Sequence, residues 1–172
     1  MPAAFTGFVV VSGPPASGKS TLAPALATAL DLPLLAKDVI KDVLVEVLGA
    51  PDLPRSRELG GAAVRVLLAV ARTVGRGVLD SVWHDDARAP LAALPGPVVE
   101  VFCRCNPALL RARFDDRSGS RDGGYFDAER TADERWNEQV GCPLAGGWPV
   151  IEVDTTGLVD VDAVVEQVRQ AC

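Results

Sequence analysis

Histidine, tyrosine and the other aromatic residues are scarce in this chain of 172 residues, which has one histidine and one tyrosine. A metal site would need a second cysteine pair beside Cys103 and Cys105, or several histidines, and the chain has one histidine, which disfavours a zinc site. Cys103 and Cys105 stand two positions apart, which places them on one face of a predicted strand. We interpret the cysteines as buried, reduced thiols, and reduced thiols favour a cytoplasmic protein.

Long apolar runs are also absent, since none reaches the roughly 20 residues that a membrane-spanning helix needs. The N-terminal stretch MPAAFTGFVVVSG has no basic region before its apolar run, so we expect neither a secretory signal nor a membrane segment. The net charge is -6 and the pI is about 4.8. An acidic chain gains nothing from long-range attraction to phosphate backbones, which disfavours nucleic acid as a partner.

The chain does contain an alternation of short apolar strands and helices. We predict five strands, over residues 8–12, 32–36, 77–81, 98–103 and 150–153. We predict helices over residues 18–30, 39–48, 59–74, 86–93 and 128–139, with one that starts at Pro107 and a last one capped by Asp160 or Asp162. Residues 49–61 are predicted to be a loop because of their glycine and proline content. Strands separated by helices predict a single α/β domain over residues 1–172, with a five-stranded, mostly parallel sheet.

The stretch GPPASGKS, residues 13–20, matches the phosphate-loop pattern G-x-x-x-x-G-K-[ST] in full and lies between a strand and a helix. Glycines let the backbone approach phosphates closely, and the start of a helix attracts anions. Lys19 is predicted to reach the β- and γ-phosphates of ATP, and the Ser20 hydroxyl to bind Mg²⁺. The predicted nucleotide-binding residues are Gly13, Pro14, Pro15, Ala16, Ser17, Gly18, Lys19, Ser20 and Thr21.

Two aspartates follow predicted strands, on the side of a parallel sheet where ligands bind. Asp38 can accept the proton of an attacking hydroxyl, although it could also be the N-cap of the next helix. Lys41, one turn further on, could hold an anionic group of a substrate. Asp80 ends the strand GVLD, and an aspartate in that position commonly supports Mg²⁺; the alternative is a helix cap.

Further candidate residues follow in two segments. Trp83 could stack on a substrate ring, and His84 is either a general base or a surface residue. Residues 111–127 are polar, rich in arginine and broken by glycine, and are predicted to be a mobile lid or long loop. Arginines on such a segment can neutralise charge in a transition state. The candidates are Arg113, Arg117 and Arg121.

The phosphate loop, LLAKDVIKDVL, the VLDS strand, the arginine segment and the terminal VIEVDTTG occur in an order that resembles small ATP-dependent P-loop kinases. This group of AAA-type ATP-binding proteins includes shikimate-type and gluconate-type kinases, the kinase half of polynucleotide kinase, zeta toxins and chloramphenicol phosphotransferase. The resemblance implies a three-layer P-loop sandwich like that of adenylate kinase, with an arginine lid over about residues 111–127. It also implies that Asp38 is the catalytic base, and that Asp154, Thr155, Thr156 and Gly157 contact adenine.

The family's lid often has the pattern Arg-His-Pro-Gly-His-x-Asp, and this chain departs from it. Its segment RDGGYFD (121–127) has neither histidine, and Tyr125 stands where the second histidine would be. We expect a phosphotransferase that moves the γ-phosphoryl group of ATP to a hydroxyl of a small molecule, such as a sugar, a nucleoside, a shikimate-like acid or an antibiotic. A nucleotide-binding regulatory module and a toxin-type or polynucleotide-end kinase stay open as alternatives. The identity of the acceptor and the oligomeric state are left open.

Overall fold

The computed structural model describes residues 5–118 and 125–171. Its strands are β1 (Phe8–Ser12), β2 (Leu34–Ala36), β3 (Gly77–Asp80), β4 (Val98–Arg104) and β5 (Val150–Asp154). Its helices are α1 (Lys19–Leu30), α2 (Lys37–Leu48), α3 (Leu53–Val74), α4 (Arg88–Ala92), α5 (Pro107–Ser118), α6 (Ala132–Arg135), α7 (Glu138–Gly141) and α8 (Val161–Gln170), with 3-10 turns at Asp85–Ala87 and Asp127–Glu129. None of the described helices is long and apolar enough to cross a membrane.

All strand pairs of the sheet are parallel, in the order β2-β3-β1-β4-β5. Helices cover both faces, so the strands are apolar on both sides. In β1, Val9 and Val11 pack against α1 and α8, whereas Phe8 and Val10 pack against α3. The three-layer α/β fold is therefore confirmed, and the carboxyl ends of β1, β2 and β3 meet at one edge.

Helix α3 begins at Leu53, so the prediction of a loop over residues 49–61 is wrong for most of that range. Asp52 caps the helix, since its carboxylate accepts a hydrogen bond from the Arg55 amide at 2.9 Å. Pro54 lies in the first turn, where the missing N–H group of a proline costs the helix no hydrogen bond. The helix then continues through Gly60 and Gly61, because its apolar face packs on the sheet and outweighs their low helix propensity.

Two further expectations are corrected between β4 and β5. Helix α5 extends to Ser118, so the first part of the predicted lid is helical, and residues 119–124 lie outside the described residues. The single helix predicted over residues 128–139 is replaced by a 3-10 turn and the short helices α6 and α7. Thr131 and Asn137 each cap a new helix start, which breaks the segment into separate turns.

A fully buried carboxylate, Glu100 of β4, joins two distant parts of the fold. It accepts hydrogen bonds from the Ser12 hydroxyl (2.6 Å) and the Leu144 amide (2.8 Å) on one oxygen. Its other oxygen accepts from the Ala145 amide (2.9 Å) and the Trp148 indole (3.0 Å). Four donors replace the water that the buried carboxylate loses. Glu100 thereby fixes the turn before β5 to the end of β1, where the phosphate loop starts.

Candidate functional site

The phosphate loop lies at the carboxyl end of β1, and its geometry requires small residues. Gly13 has a φ of 133°, and a Cβ atom there would lie 2.6 Å from the Cys103 carbonyl oxygen. Ala16 and Gly18 also have positive φ angles, of 63° and 89°. These angles turn the chain sharply enough to bring it from β1 into the first turn of α1. The turn leaves the amide groups at the start of α1 available to an anion.

Lys19 is folded back over the loop that it belongs to. Its ammonium donates to the Pro14 carbonyl at 2.6 Å and to the Ser17 hydroxyl at 3.5 Å, and the residue is 5% exposed. Burial lowers the Lys19 pKa from 10.5 to about 8, against the opposing attraction of Asp80. A bound phosphate would supply the negative charge that this buried ammonium needs.

Asp80 is the last residue of β3. In the sheet it pairs with Val11 of β1 on one side and with Ala36 of β2 on the other. Burial raises the Asp80 pKa, although Lys19 and the Ser20 hydroxyl both act to lower it. The oxygens of Ser20 and Asp80 suit Mg²⁺, which is usually held by one or two protein ligands together with phosphate oxygens. Within residues 5–118 and 125–171, no cluster of three or more His, Cys, Asp and Glu side chains could hold a metal ion.

Asp38 lies in the first turn of α2, immediately after β2. The N-cap of this helix is Ala36, so the alternative role of Asp38 as a cap is not realised. Its carboxylate is half exposed and forms an ion pair with the Lys37 ammonium at 3.0 Å. Asp38, Lys19 and Asp80 line one cavity at the carboxyl edge of the sheet.

That cavity, which we call the first cavity, has a volume of about 600 Å³ and lies between the phosphate loop, α2, α3 and the segment 125–135. The chain has three lysines, Lys19, Lys37 and Lys41, and all three line this cavity. The other 14 of the 17 lysines and arginines are arginines. The cavity thus combines the lysine of the phosphate loop, two further ammonium groups, five arginines and five carboxylates, a lining that suits a polar or charged ligand.

Lys41 is 1% exposed despite its charge. Its ammonium donates to the Ser56 hydroxyl of α3 at 2.8 Å and lies 4.2 Å from the centre of the Tyr125 ring. Lys41 and Asp38 line the same cavity, and Ser56 of α3 and Tyr125 lie around the Lys41 ammonium. Both of these partners were missed from the sequence.

Trp83 and His84 both border the first cavity but differ in exposure. Trp83 is 3% exposed, and its indole N–H donates to the Val11 carbonyl at 3.0 Å. Its ring belongs to the core beside α3, a placement that favours a structural role over stacking on a substrate. His84 is exposed and precedes the 3-10 turn.

A second cavity, of about 590 Å³, lies on the other side of the phosphate loop. Arg117 lines both cavities, and Arg113 lines only the second. The Arg113 guanidinium donates to the Thr155 carbonyl at 3.1 Å, which holds α5 against the loop after β5. Arg121 lies outside the described residues.

The loop after β5 differs in part from what the resemblance implies. Thr155 is buried, and its hydroxyl donates to the Ser17 carbonyl at 2.6 Å, so it fastens this loop to the phosphate loop. Thr155 and Gly157 line the second cavity together with the fully exposed Leu158, which the sequence reasoning missed. Asp154 is exposed, and its carboxylate accepts a hydrogen bond from the Thr156 amide at 2.9 Å. The Thr156 hydroxyl and this amide lower the Asp154 pKa.

The residues that α3 brings to the first cavity follow a helical spacing. They are Ser56, Arg57, Gly60, Gly61, Val64, Arg65 and Leu68. The signal that could have revealed them is Asp52 followed by Pro54, which is typical of a helix start.

Comparison with known proteins places this geometry in a family. A family model described as an AAA domain matches residues 8–143. The chain belongs to this family. The match contains the phosphate loop, Asp38 and Asp80, and family membership implies binding of a nucleotide with a metal ion. No curated protein matches the chain.

Solved structures extend the comparison over nearly the whole chain of this AAA-domain protein. A provisionally assigned kinase from Chloroflexus aurantiacus is 31% identical, with a TM-score of 0.82, and the match covers 96% of this chain and 98% of that one. A sugar kinase from Janibacter is 17% identical, with a TM-score of 0.62 and coverage of 97% and 94%. A gluconokinase from Sinorhizobium meliloti is 17% identical, with a TM-score of 0.54 and coverage of 98% and 93%. The last two share the kinase-like P-loop fold.

Proposed function

We propose that the protein is an ATP-dependent phosphotransferase that moves the γ-phosphoryl group of ATP to a hydroxyl of a small molecule. The observation that carries the proposal is the cavity shared by Lys19 of the phosphate loop and the carboxylates of Asp38 and Asp80. A pure nucleotide-binding module needs the loop but no carboxylate positioned to accept a proton. The 31% identical relative, a provisionally assigned kinase, supports the same reaction class.

The division of roles follows from the position of each side chain. The phosphate loop and Lys19 bind the β- and γ-phosphates, and Arg117, which borders both cavities, neutralises charge on the transferring group. Asp38 accepts the proton of the acceptor hydroxyl as the oxygen attacks phosphorus in line with the leaving ADP oxygen. Mg²⁺, which the oxygens of Ser20 and Asp80 would hold, shields charge on the phosphates.

The acceptor occupies the part of the first cavity between α2 and α3 in this proposal. Lys37 and Lys41 of α2 and Arg57 and Arg65 of α3 all line the cavity, so hydroxylated acids and sugars fit it better than apolar alcohols. The net charge of -6 on the chain disfavours a polynucleotide acceptor.

The test measures ATP turnover by the purified protein with and without Mg²⁺ against D-gluconate, shikimate, uridine and chloramphenicol. We expect one acceptor to stimulate turnover, and Asp38→Asn to lower the stimulated rate by about 10²–10⁴-fold, the usual contribution of general base catalysis. ATP affinity should stay within a few fold, because Asp38 lies on the acceptor side. Glu46→Gln, at an exposed carboxylate of α2 that does not line the cavity, is the matched control for general base catalysis. Full transferase activity in Asp38→Asn would exclude Asp38 as the base.

A further inference from the structure

Tyr125, the first described residue after position 124, contacts α2 at three residues, one of them Asp38, whose carbonyl lies 3.5 Å from the Tyr125 hydroxyl. Its hydroxyl donates to the Asp42 carboxylate at 2.5 Å. The centre of its ring lies 4.2 Å from the Lys41 ammonium, which also donates to the Ser56 hydroxyl. An ammonium group is attracted to the face of an aromatic ring, and more strongly where water is excluded. The 1% exposure of Lys41 meets that condition.

An ion pair joins the segment 125–135, which contains Tyr125, to α3, the second helix that lines the cavity. Arg57 of α3 forms an ion pair with Glu134 of α6. Tyr125 and Glu134 thereby attach the segment 125–135 to α2 and α3 respectively, and both residues line the first cavity. The segment thus forms one wall of the cavity and orients the side chains that face it from α2.

We propose that Tyr125 is a positioning residue for the acceptor, which acts through Lys41. Its ring holds the Lys41 ammonium toward the cavity, and its hydroxyl fixes α2 one turn after Asp38. This inference rests on the proposed phosphoryl transfer, and adds to it the residue that orders the acceptor side. Through these contacts Tyr125 acts on α2 and the acceptor side, and we expect nucleotide binding to be independent of it.

The first test needs no activity and uses the small number of lysines. A protein labelled with ¹³C at the lysine ε carbon gives three ε-CH₂ signals, from Lys19, Lys37 and Lys41. We expect the Lys41 ε-CH₂ signal to lie upfield of the other two because of the Tyr125 ring current, and Lys41→Met assigns it by removing it. Tyr125→Phe, which keeps the ring, should retain the upfield position.

Tyr125→Leu is the decisive variant, because leucine has no ring but fills part of the volume. Its Lys41 signal should move to the position of an ordinary lysine, whereas the Lys19 signal stays in place. A Lys41 signal that is the same in wild type and Tyr125→Leu would overturn the proposal. Loss of the folded spectrum as a whole in Tyr125→Leu would assign Tyr125 a structural role and also overturn it.

The second test measures kinetics with whichever of D-gluconate, shikimate, uridine and chloramphenicol stimulates turnover. Tyr125→Leu should raise the acceptor KM on the order of tenfold, as expected for a desolvated cation–ring contact, and leave the KM for ATP unchanged. In a Lys41→Met background the same substitution should have little further effect, because two residues that act as one unit are not additive. Additive effects, or an equal rise in both KM values, would contradict the proposal. Failure of all four acceptors would count against the proposed function, and the lysine spectra alone would then decide on Tyr125.

Discussion

The buried ammonium of a single residue, Lys19, lowers the stability of the protein while the phosphate site is empty. Its ammonium is buried, and burial lowers its pKa from 10.5 to about 8 even though Asp80 attracts it. At neutral pH the group is charged in both the folded and the unfolded chain. The ligand-free fold therefore bears the cost of a buried charge that a bound phosphate would offset.

We predict that Lys19→Met stabilises the ligand-free protein at pH 7.5 by about 1–3 kcal/mol, since each unit of pKa shift corresponds to about 1.4 kcal/mol. The same variant should lose the stabilisation that Mg·ATP gives to the wild-type protein. Urea unfolding with and without nucleotide measures both effects. The control is Lys37→Met, which removes a more exposed lysine of the same cavity and should change the free energy of unfolding by less.

The stability difference between wild type and Lys19→Met should also depend on pH. Between pH 8 and pH 10.5 the unfolded chain holds a proton on Lys19 that the folded chain has lost, so the stability of the wild-type protein rises with pH relative to the variant. Below pH 8 the difference is at its full size, and it should shrink steadily toward pH 10. A difference that is constant between pH 7.5 and pH 10 would show that burial of the Lys19 charge is not its source.

At the scale of elements, α3 contains a feature that helix propensity does not explain. Gly60 and Gly61 lie in the interior of a helix of 22 residues, where glycine is unfavourable. A Cβ atom added at either position has no other atom within 4 Å, so packing does not require a glycine. Both residues border the first cavity. The open space over their backbone is space that a ligand can use.

We predict that Gly60→Ala and Gly61→Ala each stabilise the protein by about 0.5–1 kcal/mol, the difference between glycine and alanine in a helix. Each should raise the KM for the acceptor, because the added methyl group projects into its site. Urea unfolding and acceptor kinetics measure the two effects. Ala69→Gly, on the exposed side of α3, should lower stability by a similar amount without altering either KM.

The elements differ in how well their sequences predict them. Strands of a parallel sheet are buried on both faces, and β1, β3 and β4 were placed within two residues because such strands are continuous apolar runs. The phosphate loop was found because its glycines and Lys19 are required locally. The start of α3 was missed, because glycine and proline in residues 49–61 outweighed the capping signal of Asp52.

Contacts between distant segments could not be predicted from the pattern of residues. Tyr125 and Asp42 are 83 residues apart, and their contact depends on how the chain returns to α2 after α5. The burial of Lys41 likewise depends on the packing of α2 on α3. The sequence therefore predicted which side chains lie at the edge of the sheet, and the structure adds what surrounds them.

At the scale of the whole molecule, Glu100 connects the phosphate loop with the turn before β5. We predict that Glu100→Gln lowers stability by at least about 2 kcal/mol, because each buried donor left without an acceptor costs about 1–3 kcal/mol. One carboxylate oxygen of Glu100 accepts hydrogen bonds from the Ala145 amide and the Trp148 indole. In the variant the glutamine NH₂ group would face these two donors and could not accept from them. Thermal unfolding gives the loss, and tryptophan fluorescence reports on the turn.

Glu152→Gln, on the exposed side of the neighbouring strand β5, is the control for this change and should leave stability within about 0.5 kcal/mol, the usual range for surface substitutions. Equal effects of the two substitutions would mean that the hydrogen bonds of Glu100 contribute little. A loss confined to Glu100→Gln, with weaker ATP binding, would connect the turn to the phosphate loop as the geometry suggests.

The distribution of lysines has a consequence for chemical labelling of the protein. Because the chain has three lysines, Lys19, Lys37 and Lys41, and all three border one cavity, the outer surface carries no lysine amine. A reagent that acylates amines therefore meets the rim of the cavity at Lys37 before any other side-chain amine. An acylating group mounted on an acceptor analogue would act as an affinity label without any engineered cysteine, and the labelled peptide would identify the ligand's position.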